Sequence, residues 1–248
     1  MHQSLDEGSR AQCQVSPPGA VNARLDPNYS SVPDPEPRPF VDIRIVLVTV
    51  AGGQLLVSLE DALPSLRLHR GQPHPNVPLD PEARRVLRES TGRREEYLEQ
   101  LYTLSGAGDR GWEIVVAYLG LVATVSGTLP ALGGSWHDVR ALPSLESPDR
   151  MVIDYAVQRL RAKIGYTTIA FHLLPPTFTL SELQGAYESI LDQSLDKRNF
   201  RRRVLAADFL TPTAEKRRVG SHRPALLYRF RDAHDRETYL TPGWVEGV

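Results

Sequence analysis

Apolar and polar positions alternate in three different rhythms along this chain. Phe40-Val-Asp-Ile-Arg-Ile-Val-Leu-Val-Thr-Val50 is rich in β-branched residues, and Gly52-Gly53 separates it from the apolar Gln54-Leu-Leu-Val-Ser-Leu59. The pattern predicts a buried β-hairpin. Tyr97 to Leu104 and Trp112 to Ala123 predict two further strands. Between them, Pro81 to Ser90 reads as a helix, with Asp80 as N-cap and Pro81 in the first turn. Strands surrounding a helix predict an α/β or α+β sandwich, and with the helical second half the chain as a whole is expected to be α+β.

Beyond the Pro/Ser-rich stretch Ala141 to Asp149 the rhythm turns helical. Val152, Ile153, Ala156, Val157, Leu160 and Ile164 form one apolar stripe, with Arg159 and Arg161 off it. Thr179-Leu-Ser-Glu182 is a capping box that opens a second helix carrying Leu183, Tyr187, Ile190 and Leu191 inward. A break at Ser194-Leu195 leads to a third helix capped by Asp196, with Phe200, Val204 and Ala207 inward. Two short helices so joined predict a helix-turn-helix. Phe209 to Thr213 and Ala225 to Phe230 then read as two strands around the basic tip Glu215 to Pro224, which extends the prediction to a winged helix. The expected division is a disordered Pro-rich tail over residues 1–39, a sandwich domain over 40–145 and a winged helix-turn-helix domain over 146–248.

Charge sharpens this division. Of 248 residues with a net charge of −1, residues 1–196 hold 17 Lys+Arg against 24 Asp+Glu, whereas residues 197–248 hold 12 against 6. A positive field concentrated on the last module suits the phosphate backbone of double-stranded DNA. On the third helix Lys197, Arg198, Asn199, Arg201, Arg202 and Arg203 lie off the apolar stripe, as a recognition helix requires. Lys216, Arg217, Arg218, His222 and Arg223 on the hairpin are expected to hold the backbone, and Thr179 and Ser181 at the start of the second helix are assigned to the same surface. The lone Cys13 excludes an internal disulfide, no apolar run approaches membrane length, and no signal peptide opens the chain. A cytoplasmic protein is expected.

The segment Gly71 to Gly92 carries the frame of a catalytic helix. Nudix hydrolases use G-x5-E-x7-R-E-U-x-E-E-x-G-U, whose glutamates hold divalent metal at a pyrophosphate. Gly71, Arg85, Leu87, Glu89 and Gly92 fit that pattern without a gap, but the other acidic positions fall on Val77, Val86 and Ser90. Loss of those carboxylates predicts neither a bound metal nor a hydrolase. His69 and His74 lack partners at metal-ligand spacing and read as loop residues. Arg44, Arg67 and Arg70, with Glu89, are the candidate ligand-binding residues, the arginines supplying charge for a diphosphate.

A Nudix-like domain followed by a winged helix resembles the Nudix-related transcriptional regulators of NAD metabolism (NrtR). The resemblance spans about Phe40 to Phe230 and rests on Tyr97-Leu-Glu-Gln-Leu-Tyr102, Phe178-Thr-Leu-Ser-Glu-Leu-Gln184, Leu195-Asp-Lys-Arg-Asn-Phe-Arg-Arg-Arg203 and His222-Arg-Pro-Ala-Leu-Leu-Tyr-Arg-Phe230. It implies a Nudix-like α/β/α sandwich, a homodimer on a DNA operator, repression of NAD biosynthesis or salvage genes, and ADP-ribose or a related NAD metabolite as effector, with no cofactor. Where that family has Leu-Pro-Gly-Gly, this chain reads Leu63-Pro64-Ser65-Leu66, and the added side chains predict weakened ADP-ribose binding. An active nucleoside-diphosphate hydrolase and a winged-helix regulator of another regulon are the alternatives.

Overall fold

The computed structural model describes residues 38–62, 65–92, 97–108, 110–125, 128–145, 147–218 and 224–231. The tail through residue 37, together with Leu63, Pro64, His222 and Arg223, lies outside the described residues.

Strand β1 (Phe40–Ala51) is the spine of a mixed sheet. It pairs antiparallel with β2 (Gln54–Ala62) through the Gly52-Gly53 turn. Two short strands follow, β3 (Ser65–Arg67) beside the end of β2 and β4 (His69–Gly71) beside the start of β1. After the helix α1 (Leu79–Thr91), β5 (Tyr97–Gly108) pairs antiparallel with β6 (Gly111–Leu121), which runs parallel to β1. β7 (Ser135–Asp138) completes the sheet against β2.

The apolar run of β1 follows from burial on both faces. Ile43, Ile45 and Leu47 pack with Ala83, Val86 and Leu87 of α1. Val46, Val48 and Val50 face the other way, into the cluster with Val152, Ile153 and Ala156 of α2 (Ser147–Ile164). Period-2 alternation therefore assigns Asp42 and Arg44 to the α2 face. There Arg44 Nε donates to Asp42 Oδ2 at 3.1 Å and Nη1 donates to Asp149, whose other oxygen accepts the Leu68 amide at 2.8 Å. Asp149 is fully buried. At the opposite end of α2, Lys163 donates to Glu99 and to the Tyr97 hydroxyl of β5. Ion pairs thus fasten both ends of α2 to the sheet.

The start of α1 differs from expectation. The helix begins at Leu79 with Pro78 in the cap position and no side-chain cap, so Asp80 is in the first turn rather than capping. Asp80 accepts instead from the Tyr118 hydroxyl at 3.0 Å, and an acid there also meets the positive end of the helix dipole. Gly92 ends the helix at φ 73°, a left-handed conformation that glycine adopts without steric cost.

Beyond α2 a 3-10 turn (Ile169–Leu173) leads to α3 (Leu180–Leu191), α4 (Lys197–Ala206) and a hairpin of β8 (Leu210–Arg217) and β9 (Ala225–Phe230). Phe171, on the 3-10 turn, stacks on Phe230 at 4.8 Å and meets Phe178 and Phe209 at 5.5 and 5.4 Å, which anchors the hairpin to the helices. This module shares its apolar cluster with the α2 face of the sheet. Ala207 is exposed, contrary to expectation, because α4 ends one residue earlier and the chain turns at Asp208 with φ 58°.

Candidate nucleic-acid interface

The position of α4 is set by its neighbour. Thr179 caps α3, its hydroxyl accepting from the Glu182 amide at 3.1 Å while Glu182 Oε2 accepts from the Thr179 amide at 2.7 Å. Gln184 then donates to the Leu195 carbonyl at 3.0 Å, and Glu188 accepts the Leu195 amide at 2.9 Å. These two bonds tie the inter-helix turn to α3 and so fix where α4 begins. Asp196 caps α4 through the Asn199 amide at 2.8 Å. Phe200 and Val204 are buried beneath it, with Phe200 edge-on to Tyr187 at 5.4 Å.

What remains on the outer side of α4 is basic. Lys197, Arg198 and Arg202 are exposed, Asn199 is half-buried beside them, and among the described residues no carboxylate pairs with the three cations. Arg201 leans back toward α3, donating to Ser181 Oγ at 3.1 Å, and Arg203 is half-buried in the last turn. Lys216 and Arg218 are exposed. Three expectations need correction here. Thr179 is buried with its hydroxyl committed to the cap. Lys216 and Arg217 belong to strand β8, opposite Leu226 and Ala225, and not to the hairpin tip. Arg217 is also turned inward, donating to Glu182 at 2.8 Å and to the Thr177 carbonyl at 3.0 Å.

The Nudix-like loop presents a different picture. Val86, in a glutamate position of the hydrolase pattern, is 2% exposed and packs under Gly71, where an added Cβ would lie 2.8 Å from its Cγ2. The close approach explains the glycine. Val77 is exposed, and the Ser90 hydroxyl donates to the Val86 carbonyl at 2.8 Å. Glu89 is exposed on α1 and accepts from Arg85 at 2.6 Å. Glu82, outside the pattern, organises the loop: it accepts from Arg85 at 2.7 and 3.0 Å, and from both the amide and Nδ1 of His74 at 2.8 and 3.0 Å. The Arg85 hydrogen bonds, then the His74 amide, pull its carboxyl from 4.5 down to about 2.

The four ligand candidates do not form one site. Arg44 corrects the sequence expectation most sharply: it is 3% exposed, on the sheet face away from α1, and held between two carboxylates. Burial opposes its charge, but Asp149 and Asp42 outweigh burial and raise its pKa. Burial pushes the Asp42 carboxyl up against the pull of Arg44. Arg70 pairs across from Arg44, so it shares that face. Arg67 lies on the other face, its Nε 3.3 Å from Glu60. His69 is no loop residue but a buried part of β4, bonded to Ser58 at 2.8 Å and Glu60 at 3.1 Å. Ser65 and Leu66 form β3, where Leu66 packs against the core. A clue to the Arg44 cluster was present in the sequence, since two charges two residues apart in an apolar strand must share a face. Asp149, in a Pro/Ser-rich segment, offered none.

Residues 170–230 match the family model of the NrtR DNA-binding winged helix domain. The winged helix seen in the fold is thus similar to the DNA-binding module of NrtR. The chain is 34% identical over 155 residues to the ADPR responsive transcriptional repressor NtrR of Acinetobacter baylyi, a match that covers 60% of this chain and 62% of that relative's length. In structure it is similar to Shewanella oneidensis NrtR complexed with a 27mer DNA, with a TM-score of 0.66, 29% identity, and coverage of 77% of this chain and 94% of that one. A second structure of Shewanella oneidensis NrtR gives a TM-score of 0.68 at 27% identity, covering 82% and 99%. A MutT/nudix family protein from Enterococcus faecalis shares the fold at 19% identity, a TM-score of 0.60 and coverage of 79% and 89%. The sheet with its two covering helices is thus Nudix-like, and it precedes a winged helix.

Proposed function

We infer that this chain is a DNA-binding transcriptional regulator of the NrtR type, acting as a repressor of NAD biosynthesis or salvage genes. The observation that carries the reading is the outer face of α4, where Lys197, Arg198 and Arg202 are exposed and unpaired among the described residues above a buried Phe200 and Val204. A helix so held presents donors to the major groove, where arginine reads guanine O6 and N7 bidentately. Lys197, Arg198, Asn199 and Arg202 are the readers, and Lys216 and Arg218 anchor the backbone. A homodimer places two such helices on a two-fold operator. The functional division follows residues 40–145 and 146–248, the first part sensing ADP-ribose or a related NAD metabolite.

The sensor does not hydrolyse its ligand. Val86 is a core residue, Val77 and Ser90 carry no carboxylate, and Glu89 is engaged by Arg85. Turnover of ADP-ribose by the purified protein with magnesium or manganese, lost on Glu89→Gln, would overturn this part. Genome-wide mapping of bound DNA tests the whole: occupancy upstream of NAD biosynthesis or salvage genes is expected, and its absence there refutes the regulon.

A further inference from the structure

Between the β1–β2 turn of the sandwich and the helix α3 lies a cleft of about 660 Å³. Its size falls within the few hundred to about 1,000 Å³ typical of small-molecule sites, and such sites favour the junction of two domains. One wall is apolar, formed by Val50, Leu174, Pro175 and Ala186. Arg217 and Arg218 also line the cleft. Glu182 compensates the first, while Arg218 is exposed and has no carboxylate partner among the described residues, so the lining keeps a net positive charge.

Gly185 supplies an independent observation. It lies within α3 and faces the cleft, and a Cβ placed on it would meet nothing within 4 Å. Glycine weakens a helix interior relative to alanine, and here neither backbone conformation nor close packing calls for it. Its effect is to leave the cleft wide where α3 passes the sandwich.

We propose that this cleft is a second effector site, separate from the Nudix-like loop, that takes a mononucleotide with its ring on the apolar wall and its phosphate on Arg217 and Arg218. Occupancy draws on guanidiniums that belong to the β8–β9 wing, so ligand and operator compete for the same charges. By linkage, DNA weakens ligand binding by the same factor as ligand weakens DNA binding. The competition rests on the functional reading above; the ligand site does not.

The test is calorimetry on the full chain with adenosine 5′-monophosphate, adenosine and inorganic phosphate, repeated on Gly185→Phe and Arg218→Ala. The nucleotide is expected to bind at least tenfold more tightly than either fragment. Each variant should lose at least tenfold of that affinity while keeping the parent's melting temperature. Operator titrations should show the nucleotide weakening DNA binding in the parent and not in Gly185→Phe. Absence of nucleotide binding, or equal binding by parent and both variants, overturns the site. Should Gly185→Phe fail to fold, Arg218→Ala alone decides. If the parent binds the nucleotide but no operator, the regulatory reading fails and the site stands.

Discussion

Arg44, Arg67 and Arg85 of the Nudix-like sandwich and the cations on the outer face of α4 are held in opposite states. In the sandwich Arg44 is locked between Asp42 and Asp149, Arg67 leans on Glu60, and Arg85 bridges Glu82 and Glu89. On α4, Lys197, Arg198 and Arg202 face solvent with no carboxylate beside them among the described residues. Buried paired charge contributes geometry, because an ion withdrawn from water is tolerated only with its partners in place. Exposed unpaired charge contributes a field that a polyanion can neutralise. The state of each guanidinium, not the number of guanidiniums, separates scaffold from interface.

Removing a partner from the buried pair should give the largest effect. Asp149→Ala leaves Arg44 with Asp42 as its one carboxylate beneath α2, and removing a partner from a buried ion pair costs about 3–5 kcal/mol. A fall of that size in urea or thermal unfolding is expected, with α2 loosened from the sheet. The double change Arg44→Met with Asp149→Leu should recover only part of it, since it removes two buried ions but leaves Asp42 without Arg44 and the Leu68 amide without its acceptor. Should Asp149→Ala melt like the parent, the paired side of the contrast collapses.

On the interface the effect moves from stability to affinity. Arg202→Ala should leave the melting temperature unchanged, cost about 1–3 kcal/mol in operator binding, and relax preference at one position of each half-site. Equal losses on operator and scrambled duplex would remove Arg202 from the readers. The wing supplies a finer comparison. Arg218→Ala should lower the salt-dependence slope by roughly 0.9 if it neutralises one phosphate. Arg217→Ala should lower it by less, because Glu182 already neutralises Arg217 at 2.8 Å. Equal slopes for the two variants would show that the Glu182 contact gives way to DNA.

Much of this contrast was legible in the sequence, and the exceptions have physical causes. The hairpin of β1 and β2, the capping box of α3, the Asp196 cap and the Phe200–Val204 underside were set by local rules: turn residues, reciprocal caps and helical spacing. The basic face of α4 followed from the same spacing. Arg44 departs from expectation because proximity along the chain to a ligand loop says nothing about which face of a strand a side chain takes. Only the parity of β1 against the α1 and α2 clusters decides that, and it requires knowing that both faces are covered. The inward turn of Arg217 depends on Glu182, 35 residues earlier, and no local rule links the two.

The smallest effect concerns the Nudix-like loop and appears only in acid. Glu82 is depressed from 4.5 to about 2, first by hydrogen bonds from Arg85 and then by the His74 amide. Between those values the unfolded chain carries a proton on this carboxyl that the folded protein lacks, so stability rises with pH across the window. The contribution is complete above about 4.5 and is lost as pH falls toward 2. Glu60, Asp138 and Asp208 are lowered as well, so the parent's acid limb is a composite. Comparison with Glu82→Gln isolates the one group, because the other carboxyls are common to both proteins. The difference in unfolding free energy between parent and variant should therefore shrink from pH 5 to pH 2 and stay flat from pH 5 to pH 7. A difference that is the same at pH 2 and pH 5 would mean that Glu82 does not bind Arg85 and His74 as a carboxylate, and that the arginines of the sandwich are less fully committed than those of the interface are free.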